Sequence, residues 1–133
     1  LMIGVDTNIL VRFLTEDDAK QSNKVYQLFK NAEEEKKELF ISVLVVLELV
    51  WVLESVYEIE RIEILDSINL LIQMPIFHIE NLTTIQNFIL DAQQSKFDLS
   101  DLLIAQTAKT NGCEKTLTFD KNVSKHKLFE LLS

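Results

Sequence analysis

Apolar positions along the chain come in short runs that alternate with longer stretches at helical spacing. Residues 2–5 form an apolar run ending at Asp6. The stretch 7–14 then carries Ile9, Leu10, Phe13 and Leu14 at helical intervals, so the pattern predicts a strand running into a helix. Residues 18–37 predict a second helix with Val25, Leu28, Phe29 and Ala32 on one face; its run Glu33-Glu34-Glu35-Lys36-Lys37 reads as a solvated end. A second strand is predicted at 39–41, Ser42 can cap a helix over 43–57, and another helix covers 60–73 until Pro75 stops it. A third strand at 76–79 is followed by helices over 83–94 and 98–111. Gly112 suits a left-handed C-cap, and a fourth strand at 116–119 ends at Asp120. Strands separated by helices imply parallel pairing through right-handed crossovers. The fold expected is therefore α/β, a three-layer α/β/α sandwich with a parallel sheet.

Size and composition narrow this picture. A chain of 133 residues that is 47% hydrophobic, with two glycines, one proline and no low-complexity linker, suits one compact domain over 2–133. The start Met2-Ile3-Gly4-Val5-Asp6 has no basic region and no long apolar run, so neither a signal peptide nor a membrane span is expected, and the expected location is the cytoplasm. Cys113 is the single cysteine, which excludes an internal disulfide and a thiolate metal cluster. The net charge of −8 has the wrong sign for a module that binds nucleic acid by general phosphate attraction. It is compatible with metal chemistry, because acids gathered at one site become cation ligands and the metal inverts the local field. It also suits a basic protein partner.

Four acids invite a chemical reading. Ligands of open parallel sheets bind outside the carboxyl ends of the strands, where Asp6 and Asp120 fall. Either can instead cap the helix that follows, although Thr7 or Asn8 can cap in place of Asp6 and leave it free. Glu48 interrupts the apolar run 43–53, and a charge buried there needs an ion pair, a gap in the packing or a cation. Asp98 and Asp101 lie three residues apart at a helix start, where one is expected to cap and the other to point across the crevice. Carboxylates about 4 Å apart repel by roughly 4 kcal/mol at an effective dielectric of 20, so a converging cluster calls for a cation. Oxygen ligands without His or Cys suit Mg²⁺ or Mn²⁺. His78 and His126 read as ordinary surface or strand-edge residues.

At these residues the chain resembles the PIN-domain family, and more narrowly the VapC-type toxins of toxin–antitoxin pairs. The resemblance runs over nearly the whole chain. Val5-Asp6-Thr7-Asn8-Ile9-Leu10-Val11-Arg12 is similar to the first motif of the family, an acid with a hydroxyl beside it. Glu48 matches the acid of the helix after the second strand. Phe97-Asp98-Leu99-Ser100-Asp101-Leu102-Leu103-Ile104-Ala105 resembles the third motif, with Asp98 accessory, and Thr118-Phe119-Asp120 the fourth. Some members carry another acid where this chain has Asn122, so a second tightly held metal is not implied.

The resemblance implies a strand order of 3-2-1-4-5 and a metal-dependent endoribonuclease that leaves a 5′-phosphate. Asp6, Asp101 and Asp120 are then the principal metal ligands, and Glu48 ligates through water or acts as base. Thr7, Asn8, Asp98 and Thr118 support them, and Arg12, Lys121 and Lys125 are candidates for phosphate contact. The partners implied are an RNA substrate and a cognate antitoxin. Apolar surface on the helix at 43–57 and the run 68–76 also suggests a homodimer, or the groove for that antitoxin. Three other readings stay open: a processing nuclease of the same fold, an aspartate-phosphorylating hydrolase, which would want an acid at Asn8, and a receiver-like phosphoacceptor, which would want an acidic pair near the first strand.

Overall fold

The computed structural model describes residues 2–133, and these divide into two compact units meeting in sequence at Glu80 and Asn81. In the first unit, β1 (Met2–Gly4), α1 (Thr7–Thr15), α2 (Ala19–Glu34), β2 (Glu38–Ile41), α3 (Val43–Ser55), α4 (Arg61–Gln73) and β3 (Phe77–Ile79) follow in turn. The second holds α5 (Leu82–Gln94), α6 (Leu99–Thr110), β4 (Thr116–Thr118), a 3₁₀ turn (Val123–Lys125) and β5 (Phe129–Leu131). All described strand pairs are parallel: β1 with β2 and β2 with β3 through helical crossovers, and β4 with β5 through the stretch that holds the 3₁₀ turn. These pairs supply the 3-2-1 and 4-5 portions of the expected order.

Local chemistry sets the element ends. Asp18 and Ser42 cap α2 and α3, their side chains accepting the Gln21 and Val45 N–H groups at 3.0 and 3.1 Å. The helix expected over 18–37 stops at Glu34, because Lys36 takes a left-handed φ of 55°. Glu58, at φ 52°, similarly follows the end of α3 two residues before the expected 57. Gly112 has φ 91°, the conformation foreseen for it.

The first unit packs Leu10, Val11, Leu39, Ile41, Leu49, Val50, Leu53, Ile64 and Ile68 in its interior, and the second packs Ile85, Phe88, Leu99, Leu102 and Leu103. Of the run expected to offer surface at 68–76, Ile68, Leu71 and Ile76 are buried and only Leu70 among its large aliphatic residues is classed as exposed. On α3, by contrast, Leu44 and Trp51 are exposed. No helix among the described residues is long and apolar enough to cross a membrane.

Candidate active site

In the first unit, Asp6 follows β1 and caps α1 itself, its Oδ1 accepting the Ile9 N–H at 3.4 Å. Neither Thr7 nor Asn8 takes over that task. Asp6 stays exposed, so one carboxylate oxygen remains available while the other holds the helix end. Thr7 is buried, and its Oγ1 has no hydrogen-bond partner. A hydroxyl in that condition is costly unless water or a ligand completes it. Asn8 is exposed.

Glu48 departs from expectation. The buried stripe of α3 is Val46, Leu49, Val50 and Leu53, which places Glu48 on the opposite stripe with Leu44 and Trp51, exposed. The apolar sequence around it reflects uncovered surface rather than complete burial, so its charge needs no compensation for the fold's sake. Arg12 is also committed elsewhere. Its guanidinium donates to Gln21 Oε1 at 2.6 Å, to Asp17 at 3.2 Å and to the Tyr57 hydroxyl at 3.2 Å. The Tyr57 bond raises its pKa despite some desolvation, with Asp17 adding to the rise. Bonds from Tyr57 and Thr15, more than the charge of Arg12, hold the Asp17 carboxyl below its usual range. Phosphate contact by Arg12 would require giving up these partners.

In the second unit, Asp98 caps α6 as one of the expected pair, accepting the Asp101 N–H at 3.1 Å. Asp101 stands half-buried in the first turn. Burial pushes its carboxyl pKa up, and the charges of Asp98 and Asp120 push it further. Asp120 follows β4, and its Oδ1 accepts the N–H groups of Asn122 at 2.8 Å and Val123 at 3.1 Å. Thr118 Oγ1 accepts the Asp120 N–H at 3.0 Å, so this threonine fixes the main chain of the acid rather than its carboxylate. Lys121 and Lys125 are exposed on the segment that follows.

Within this unit, then, Asp98 and Asp120 are each near enough to act on Asp101 electrostatically. Among the described residues, no group of three His, Cys, Asp or Glu side chains is gathered as a ready-made metal cage. A half-buried acid lifted by its burial and by two like-charged neighbours is nevertheless what a divalent cation relieves, and Mg²⁺ commonly takes one or two protein carboxylates and keeps its waters.

The sequence matches the PIN domain family over residues 3–127. The chain belongs to the PIN-domain family. This PIN-domain chain is also similar to the VapC ribonuclease of Aquifex aeolicus (strain VF5), at 26% identity over 121 residues that cover 91% of this chain and 89% of the relative.

One buried cluster of this PIN domain has no counterpart in the sequence reading. His126, which the sequence reads as an ordinary surface or strand-edge residue, is 6% exposed, with Nε2 at 2.9 Å from both carboxylate oxygens of Asp91 on α5. Gln106 on α6 donates to the same carboxylate at 2.8 Å. The available signal was Gln106 itself, a polar residue on the stripe formed by Leu99, Leu102 and Leu103.

Proposed function

We propose that this PIN-domain protein is a metal-dependent endoribonuclease that hydrolyses RNA phosphodiester bonds, and that it is the toxin of a type II toxin–antitoxin pair. The observation that carries the reading is the half-buried Asp101 in the first turn of α6, whose carboxyl pKa is raised by its burial first and then by the charges of Asp98 and Asp120. The family and the VapC ribonuclease relative support it.

In this reading Asp6, Asp101 and Asp120 hold Mg²⁺ or Mn²⁺, Glu48 ligates through water or accepts a proton, and Asp98 contributes accessory charge. When bound, the cation polarises the phosphate and lowers the pKa of water toward neutrality. The chain's own residues do the rest. Thr7 offers its unpartnered hydroxyl beside Asp6, Thr118 keeps the backbone of Asp120 in place, and Lys121 and Lys125 meet phosphate from the exposed segment. Asp6, exposed while it caps α1, can cap and ligate together. A homodimer through the uncovered stripe of α3 completes the proposal; the net charge of −8 favours a basic antitoxin segment.

RNA-end sequencing after a brief induction in cells, with Asp6→Asn as control, tests the function. New 5′-phosphate ends with the parent and none with the variant are expected. Identical ends in both would reject it, as would a purified protein that hydrolyses a small phosphate ester and leaves RNA intact.

A further inference from the structure

The second unit buries a polar network that the proposed chemistry does not use. His126 Nδ1 accepts the Leu128 N–H at 2.9 Å, so the ring N–H is on Nε2, where it points at both oxygens of Asp91. The side chains of His126 and Asp91 are 5% and 13% exposed. Phe97 meets the imidazole edge-on at a centroid distance of 5.3 Å, and Phe129 at 6.1 Å. Gln106 gives its amide N–H to Asp91 while its own Oε1 is buried without a partner. Three apolar side chains of similar volume would fill this space without the desolvation cost of a carboxylate, an imidazole and an orphaned amide oxygen. The network therefore calls for a reason other than stability.

Its connections supply one. Gln106 lies on α6 five residues after Asp101, and His126 lies six residues after Asp120. From Asp120 to His126 the main chain is a continuous series of short bonds: Ser124 N–H to Asp120 O at 3.0 Å, Lys125 N–H to Asn122 O at 3.1 Å, and His126 N–H to Val123 O at 3.0 Å. Between these residues only Val123 is buried, so Val123 and His126 anchor the segment. We propose that Asp91 is a positioning residue, whose carboxylate ties the helix of Asp101, through Gln106, to the turn of Asp120, through His126. The inference rests on the proposed function for its catalytic consequence and on the hydrogen bonds alone for its structural one.

Four variants of the full chain test it: His126→Asn, His126→Gln, Asp91→Asn and Gln106→Met, each at a temperature where circular dichroism shows it folded. Asparagine puts an amide oxygen where Nδ1 was and keeps the Leu128 bond, but falls short of Asp91. Glutamine puts an amide nitrogen where Nε2 was and keeps the Asp91 bond. Methionine keeps the volume of Gln106 and removes its orphaned oxygen, which offsets part of the cost of the bond lost to Asp91.

Amide hydrogen exchange without metal or RNA is read first. Protection at Asn122, Val123 and Ser124 falls about tenfold or more in His126→Asn and Asp91→Asn and holds within about threefold in His126→Gln, while the amides of α6 stay near the parent. With Mn²⁺ and RNA, kcat falls by about 10–100-fold in His126→Asn, Asp91→Asn and Gln106→Met, with KM within about twofold. His126→Gln recovers most of it. Unchanged exchange in His126→Asn and Asp91→Asn overturns the proposal, as does His126→Gln as impaired as His126→Asn. So do variants that melt lower yet keep parental kcat when folded, the mark of a structural role alone. Should the Asp91 and His126 variants fail to fold, Gln106→Met decides: stable with reduced kcat supports the proposal, and stable with full kcat overturns it. A parent that cleaves no RNA with Mn²⁺ removes the proposed function, and the exchange pattern then decides positioning by itself.

Discussion

Asp120 holds two jobs that substitution can separate. Its Oδ1 closes the turn after β4 by accepting two N–H groups, and its charge helps to lift the carboxyl pKa of Asp101. Asn keeps an oxygen for the turn and removes the charge; Ala removes both. Capping bonds of this kind contribute roughly 0.5–2 kcal/mol, so Asp120→Ala should lose about 1 kcal/mol. For a chain of this size that lowers Tm by roughly 3–5 °C. Asp120→Asn should lose none of it.

The charge adds a pH signature. A raised folded-state pKa at Asp101 means that the folded chain holds this proton more tightly than the unfolded one. Stability therefore falls as pH rises from the ordinary carboxylate value through the raised one, and the cost is fully present at pH values above both. At about pH 7, in EDTA, Asp120→Asn should melt at or above the parent because one source of that cost is gone. By about pH 3.5, where most carboxyls are protonated, the difference should vanish. Thermal melts of the three proteins at both pH values read this, and RNA cleavage should be lost in both variants. An Asn variant that melts as low as the Ala variant at pH 7, or either variant cleaving like the parent, would refute the reasoning.

Tyr57→Phe removes hydroxyl bonds to Arg12 and Asp17. A lowered Asp17 pKa stabilises the fold above the unfolded carboxyl value, and that stability is lost as pH falls through the folded one. The gap in Tm between parent and variant should thus be present at neutral pH and narrow below about pH 4, which melts in a pH series will check. Leu49→Ala, at a fully buried position, should cost about 2–5 kcal/mol in urea unfolding, and a loss under about 1 kcal/mol would contradict the packing of α3. Trp51, the single tryptophan, is 55% exposed, so its fluorescence should shift to the blue with concentration if α3 forms the homodimer surface. Light scattering should then find Trp51→Ser monomeric; a parent that is already monomeric at micromolar concentration removes the dimer.

Periodicity made most elements legible because helices such as α2 and α5 carry core stripes three and four residues apart and the strands are short apolar runs. β5, at Phe129–Leu131, was not legible from pattern, since Glu130 splits its two apolar residues and leaves no run to read. Among the candidate residues, Asp6 and Asp98 were read as possible caps and are caps. Glu48 shows where reasoning from composition runs out: an apolar helix gave no sign of which stripe would be covered. The Asp91–His126 pair joins residues 35 positions apart, a distance over which one sequence carries no pairing signal.

The central claim is that carboxylates of this PIN domain, Asp101 among them, hold a divalent cation for RNA cleavage. Cleavage of RNA by the purified chain, with Mn²⁺ or Mg²⁺ and then with excess EDTA, measures it most directly beside Asp101→Asn of matched folding. The account predicts cleavage that starts with metal, stops with chelator and falls by orders of magnitude in the variant. Undiminished cleavage in EDTA, or by Asp101→Asn, would contradict it.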